Sequence, residues 1–344
     1  MIPKPIGSRT EEPGPLLAAQ RLRLGIWTPS SPAPALFPRR AGRARRHAEA
    51  AGFDLEFAPS YAGLDRAGAA SPEQLADELH AMVSSGQVDA VMAASGGWTV
   101  SLVIPHLDWD LLRRSGVCLI GYSDVSSLLW AAHAEGVPAI HGPMLVSEFG
   151  HPSGPFEIDV HSLRAALSGA PMVLESPGNF TDDNPWWDRD DDRAPVMRPA
   201  SLWRSLRPGR AVGPVLAGCL IGVAGLFGTP WMPQTAGHVV MLEDSDIGPD
   251  RFIALLTQWR QTGRLNDLAG LVIGRRGRPQ AAASGYTNFD DALDQLLVGT
   301  SYPVVADVDF GHTEPQWSIR LGWTMTMETA PPMLRLDPPR TPDE

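Results

Sequence analysis

Three short stretches of the chain carry side chains that could do chemistry. In "GYSD", Ser123 follows an apolar run that climbs to a glycine and precedes the first turn of a helix. Two roles are open to a serine at such a turn. It can cap the helix, its oxygen accepting from an orphan backbone N–H. Alternatively, a tight strand-to-helix turn lifts the hydroxyl out of a sheet and points the N–H groups of the helix start at any negative charge forming beside it. A nucleophilic serine needs a base, and the base needs an acid to orient it. Among the nine histidines, His141 in "AIHGPM" and His312 in "VDFGHTEP" stand at the ends of strand-like runs, and His312 follows a glycine. Each can be a cleft residue or an interior histidine. The acid candidate is Glu243 in "HVVMLEDSD". Side chains alternate along a strand, so only one of Glu243 and Asp244 can face a cleft. Asp244, Ser245 and Asp246 suit a helix cap, a role that explains Glu243 least well.

A fourth stretch, "SGGWT" from Ser95 to Thr99, ends the preceding strand. Paired glycines there can make a turn, or let the backbone approach a substrate closely and offer an N–H to an oxyanion. Val125 stands where a G-x-S-x-G elbow would have its second glycine, which speaks against an ordinary α/β-hydrolase.

The elements that must position these residues can be read from periodicity. From Leu22 to Glu148 strand-like runs ("RLGIWTP", "FDLEFAP", "VDAVMAASGG", "VCLIGYSD") alternate with helical ones. That alternation predicts a parallel sheet with helices on its faces and its ligands at the carboxyl ends of the strands. The expected divisions are an N-terminal domain over residues 20–150, a Pro-, Asp- and Trp-rich connecting segment over 151–207, a smaller β-rich α/β domain over 208–335, and a disordered tail over 336–344.

Composition narrows the function classes. A net charge of −11 argues against a nucleic-acid polymer as partner. The basic clusters at Arg39–Arg46 and Arg275–Arg278, and the acidic run Asp188–Asp192, read as solvated charge. No apolar run is long enough for a membrane span, and the N-terminus lacks the apolar core of a secretory signal, so a cytoplasmic protein without membrane association is expected. Cys118 and Cys219 lie in apolar runs and read as buried small hydrophobes. No zinc-ligand spacing occurs, so neither metal nor cofactor is expected.

Taken together and in this order, "SGGWTVSLVIPHLDWDLLRRSGVCLIGYSDVSSL", "HGPM", "LAGCLIG", "GTPWMP", "VVMLEDSD" and "VDFGHTEP" resemble the LD-carboxypeptidase family of serine peptidases. The resemblance is closest to the microcin C7 self-immunity branch and runs from about Leu22 to about Glu328. It implies a Rossmann-like N-terminal domain carrying the nucleophile and a β-rich C-terminal domain carrying the acid and the base. The implied roles are Ser123 as nucleophile, Glu243 as orienting acid and His312 as general base, with backbone N–H groups of Gly97 and Asp124 as the oxyanion hole. It also implies a homodimer and no cofactor.

The family's usual "GGN" is here "GVAG", with Val223 and Ala224, and tryptophan replaces the tyrosine usual after the glycine pair. A further acidic residue common after "LED" is missing near Ile247 and Gly248. These departures bear on substrate choice. The immunity branch implies a peptidyl- or aminoacyl-nucleotide conjugate, with Trp98, His141, Trp186 and Trp187 as candidate substrate contacts and a tryptophan of the "NPWWDRDDDR" loop stacking on the base. Muropeptide trimming is the alternative, and a silent binding protein or a biosynthetic enzyme using the same cleft is a third reading.

Overall fold

A computed structural model of the chain describes residues 21–66, 68–244, 247–277 and 289–339. Five strands, β1 (Leu22–Trp27), β2 (Phe53–Phe57), β3 (Ala90–Ala93), β4 (Cys118–Gly121) and β5 (Ala139–His141), form a parallel sheet in the order β5-β4-β3-β1-β2. The order reverses next to β1, and such switch points are where doubly wound sheets hold their ligands. All of β3 and β4 is buried, as continuous apolar strands covered on both faces must be. The helix Pro72–Ser84 begins on Ser71, whose side chain accepts from the Gln74 N–H, and proline at its first position suits the helix start.

The later strands are β6 (Met172–Leu174), β7 (Asn179–Phe180), β8 (Arg198–Pro199), β9 (Arg204–Arg207), β10 (Arg210–Cys219), β11 (Val239–Glu243), β12 (Gly270–Gly274), β13 (Val304–Val308), β14 (Ile319–Arg320), β15 (Thr324–Thr329) and β16 (Pro332–Asp337). Eight of them make a second, mixed sheet in the order β6-β16-β15-β10-β11-β12-β13-β9. The fold is thus α/β with two large sheets, and β7 and β8 pair as a small ribbon.

Residues 151–207, too long for a bare connector, contain the helix Glu157–Ser168 and supply both edge strands of the second sheet, β6 and β9. In the other direction, β14 returns to the first sheet and pairs antiparallel with β5. Residues 336 and 337 are not tail: Leu336 is buried and pairs with Met325 and Met172. The alternation of "MLRLD" places Leu334 and Leu336 on one covered face. Residues 340–344 lie outside the described residues.

One helix joins the two sheets. Val125–Ala134 follows Ser123 after a single residue, Asp124, and is buried from Val125 to Ala132, because it has β4 on one side and β10 on the other. Its Trp130 indole donates to the Ala217 carbonyl at 2.9 Å, Ser126 Oγ accepts from the Cys219 N–H at 2.9 Å, and Trp130 meets Trp259 edge-on at 5.5 Å. Cys118 and Cys219 are both free and buried. Among the described residues no helix is long and apolar enough to cross a membrane.

Candidate active site

Ser123 leaves β4 through a left-handed turn, φ 60°. A residue with a side chain adopts that region only when its surroundings impose it. Three bare glycines leave room for the turn. A Cβ on Gly121 would lie 2.7 Å from Val125 Cγ1, one on Gly96 would lie 3.1 Å from Ser123 Oγ, and one on Gly222 would lie 2.6 Å from the Ser123 carbonyl oxygen. The first contact explains the departure from the elbow pattern, since Val125 fills the space that Gly121 leaves. The third brings the second sheet's short helix Leu220–Ala224 against the nucleophile turn.

His312 Nε2 lies 3.0 Å from Ser123 Oγ, and its Nδ1 lies 2.6 Å from Glu243 Oε2. The same carboxylate oxygen accepts from the His312 backbone N–H at 3.1 Å. Glu243 is buried at the end of β11, packed between Gly274 and Gly311: a Cβ on either would come within 2.6 or 2.3 Å of its side chain. Burial pushes the carboxyl up, but the charge of His312 and the hydrogen bonds from it outweigh that and hold it below the usual glutamate value. A buried acid that stays ionised beside an imidazole can fix the tautomer and stabilise the imidazolium. The three residues, far apart in sequence, form one continuous line.

That line opens into a cleft of about 710 Å³ whose walls include Ser123, His312, Gly97, Trp98, Asp182, Trp187 and Glu314. Trp98 projects into it, 74% exposed. Trp186 is 71% exposed and borders a smaller hollow with Asn184, Pro185 and Trp187. Trp187 is held instead: it meets Phe37 edge-on at 5.4 Å and the Arg40 guanidinium lies 4.4 Å from its ring centroid.

His141 does not reach the cleft, contrary to the expectation that it contacts substrate. It is fully buried behind the triad, between Tyr122 and Phe310 at ring distances of 6.0 and 5.5 Å. Burial pushes its pKa down to about 4, so it stays neutral. β5 ends on it, and β14, pairing Ile319 with His141, covers that edge.

The charged runs are only partly solvated. Asp188 accepts from the Arg39 and Arg40 N–H groups at 2.8 and 2.6 Å, capping the helix Pro38–Ala50 from outside. Buried Asp191 pairs with Arg40 and Arg43 at 3.0 and 2.6 Å. Arg275 is likewise buried, against Asp309 at 2.5 Å; Arg278 lies outside the described residues. The contacts of Asp188 and Asp191 dock the tryptophan loop on the body.

Tyr122 and Glu148 were not legible as site residues. The Tyr122 ring packs edge-on against His312 at 5.0 Å, and its hydroxyl donates to Glu148 Oε1 at 2.7 Å. Tyr122 adjoins Ser123 in sequence and could have been suspected; Glu148 carried no local signal.

Among the described residues, Cys219, Glu243 and His312 have ligand atoms within 4.8 Å of one another. Burial pushes the Cys219 thiol well above its usual pKa, and Glu243 and His312 are already bonded to each other, so the arrangement suits proton transfer better than metal ligation.

The sequence profile of the LD-carboxypeptidase N-terminal domain matches residues 24–142, and that of the LD-carboxypeptidase C-terminal domain matches residues 212–327. The microcin C7 self-immunity protein MccF of Escherichia coli is 24% identical over 91% of this chain and 93% of its own. The structure of MccF in complex with glutamyl sulfamoyl guanosine superposes with a TM-score of 0.85 at 21% identity, covering 92% of this chain and 96% of that one. A murein tetrapeptide carboxypeptidase of Pseudomonas aeruginosa is 40% identical over 77 residues, 22% of this chain and 25% of its own.

Proposed function

The chain belongs to the LD-carboxypeptidase family of serine peptidases, and from that premise we propose that it hydrolyses the amide bond of a peptidyl- or aminoacyl-nucleotide conjugate. The observation that carries the hydrolytic part is the unbroken contact from Glu243 Oε2 through His312 to Ser123 Oγ, at 2.6 and 3.0 Å, at the floor of an open cleft. His312 takes the Ser123 proton as Oγ attacks the carbonyl. Glu243 holds the imidazole and stabilises its charge. The N–H groups of Gly97 and Asp124 flank the nucleophile and receive the developing oxyanion. His312 then returns the proton to the leaving amine, and water releases the acyl group from Ser123.

The nucleotide part rests on Trp186, an exposed ring in the smaller hollow that shares Asn184, Pro185 and Trp187 with the cleft, on a loop docked by Asp188 and Asp191. Stacking on a base contributes about 1–3 kcal/mol. MccF, the relative of like length and fold, is the protein whose structure holds glutamyl sulfamoyl guanosine. In this reading the enzyme works in the cytoplasm as a homodimer. Murein tetrapeptide trimming is the second reading, favoured by the 40% identical stretch shared with the Pseudomonas aeruginosa enzyme.

A side-by-side assay with an aminoacyl sulfamoyl adenosine and a murein tetrapeptide separates the two. Turnover of the first alone supports the proposal; turnover of the second alone replaces it. No turnover of either, together with no labelling by a fluorophosphonate, leaves a binding protein and removes the hydrolase reading.

A further inference from the structure

Asp124 stands at the N-cap of the helix Val125–Ala134, where aspartate ordinarily caps its own helix. Its side chain makes no such bond. Its carboxylate reaches across to the neighbouring strand ends instead: Oδ2 accepts from Ser30 Oγ at 2.6 Å and from the Val100 N–H at 3.0 Å. Ser30 is fully buried after β1, and its Oγ accepts in turn from the Thr99 N–H at 3.2 Å. Ser31 N–H donates to the Gly96 carbonyl at 3.1 Å. A Cβ on Gly97 would come within 2.3 Å of Ser30 Oγ, so the loop is bare where it crosses Ser30. The segment Gly96–Val100 is thereby pinned at three points, two of which trace to one carboxylate.

We infer that the Asp124 side chain, through Ser30, is a positioning group that holds the two halves of the oxyanion hole in register. One half is the helix start at Asp124 itself; the other is the glycine turn at Gly96–Gly97. The two come from different strands, β4 and β3, and no chain connection shorter than the helix Trp109–Ser115 and its flanks sets their spacing. Hydrogen bonds to an ionised carboxylate are about twice as strong as neutral ones. Oxyanion donors act only when fixed at the place where charge develops, and an ångström of slack there can cost about a hundredfold in rate. The side chain touches no reacting atom, and the backbone N–H of residue 124 survives any substitution of it. The inference rests on Ser123 being the nucleophile.

The test is steady-state kinetics on whichever amide the wild type turns over, with Asp124→Ala, Asp124→Asn, Ser30→Ala and the Asp124→Ala/Ser30→Ala double variant. The expected result for Asp124→Ala is a kcat roughly 10²-fold lower, KM within threefold, and an unchanged pH profile, since His312 and Glu243 keep their contacts. Asp124→Asn, which keeps an acceptor oxygen, should recover a large part of the loss. The double variant should lose less than the product of the single losses, because both break the same chain of bonds. A kcat for Asp124→Ala within threefold of wild type overturns the inference alone. So does a multiplicative double variant, or a shift of the pH profile that marks general loosening of the site. A wild type that neither turns over an amide nor labels overturns it together with the hydrolase reading.

Discussion

Gly311 lies so close to the Glu243 carboxylate that a Cβ at position 311 would stand 2.3 Å from Oε2. The glycine also has φ 96°, a conformation that side chains rarely adopt. This bare spot lets the next residue, His312, address Oε2 with both its backbone N–H and its ring Nδ1. Gly311→Ala is therefore expected to displace Glu243 from the imidazole, lowering kcat on the order of a hundredfold or more, as poor orientation of a base does. It should also lower the melting temperature. An alanine variant with wild-type kcat would show that the close packing is not needed.

Glu243→Gln keeps the shape of that contact but loses the charge that stabilises the imidazolium, and the amide can select the wrong tautomer. A loss of roughly 10³–10⁴ in kcat is expected, with the fold retained, as judged by circular dichroism. A loss below tenfold would mean that Glu243 is a structural acid.

Ser123→Ala should abolish both turnover and labelling by a fluorophosphonate. Because residue 123 keeps its φ of 60° whichever of the two side chains it bears, stability should stay near wild type. Persistent labelling would place the nucleophile elsewhere.

The two adjacent tryptophans should separate cleanly. Trp186→Ala removes an exposed ring; it should raise KM for a nucleotide conjugate by about 5- to 150-fold, the equivalent of a 1–3 kcal/mol stack, and leave the melting temperature alone. Trp187→Ala removes the ring wedged between Phe37 and Arg40, so unfolding should become easier by about 1–3 kcal/mol. Equal effects of the two on stability would count against a free stacking ring.

Glu148 gives the stability a pH dependence. Burial, reinforced by Glu314, raises its pKa from an ordinary 4.5 to about 7. The folded state then holds the proton more tightly than the unfolded one, so this group's contribution falls as pH rises from about 4.5 to about 7 and levels off above. In Glu148→Gln that slope disappears. Urea denaturation at pH 5 and pH 8 measures it, and an identical difference between the two pH values in wild type and variant would contradict it.

Much of this was readable from local pattern. The alternation from Leu22 to Glu148 predicted the parallel sheet, because a strand covered on both faces must be apolar throughout and a helix between strands must show its own period. The sequence offers Trp98, Trp186 and Trp187 alike as candidate contacts, and only tertiary packing separates the exposed rings of Trp98 and Trp186 from that of Trp187, held by Phe37 and Arg40. The solvated reading of Asp188–Asp192 failed for a physical reason: burial of Asp191 depends on Arg40 and Arg43, which are 151 and 148 positions away, and composition carries no information about such pairing. His141 failed similarly, since the strand that covers it, β14, comes from the far end of the chain.

The sequence by itself determined which side chains are present at strand ends: a serine after β4, a glutamate ending β11, a histidine following Gly311, each placed by short-range periodicity and turn chemistry. Only the tertiary structure decided that they meet. The helix Val125–Ala134 packs β4 against β10, Gly274 and Gly311 leave room for the Glu243 side chain, and Asp124 reaches to Ser30 in preference to its own helix. Local sequence sets the direction in which a side chain leaves its strand, whereas the distance between two strand ends is set by what packs between them.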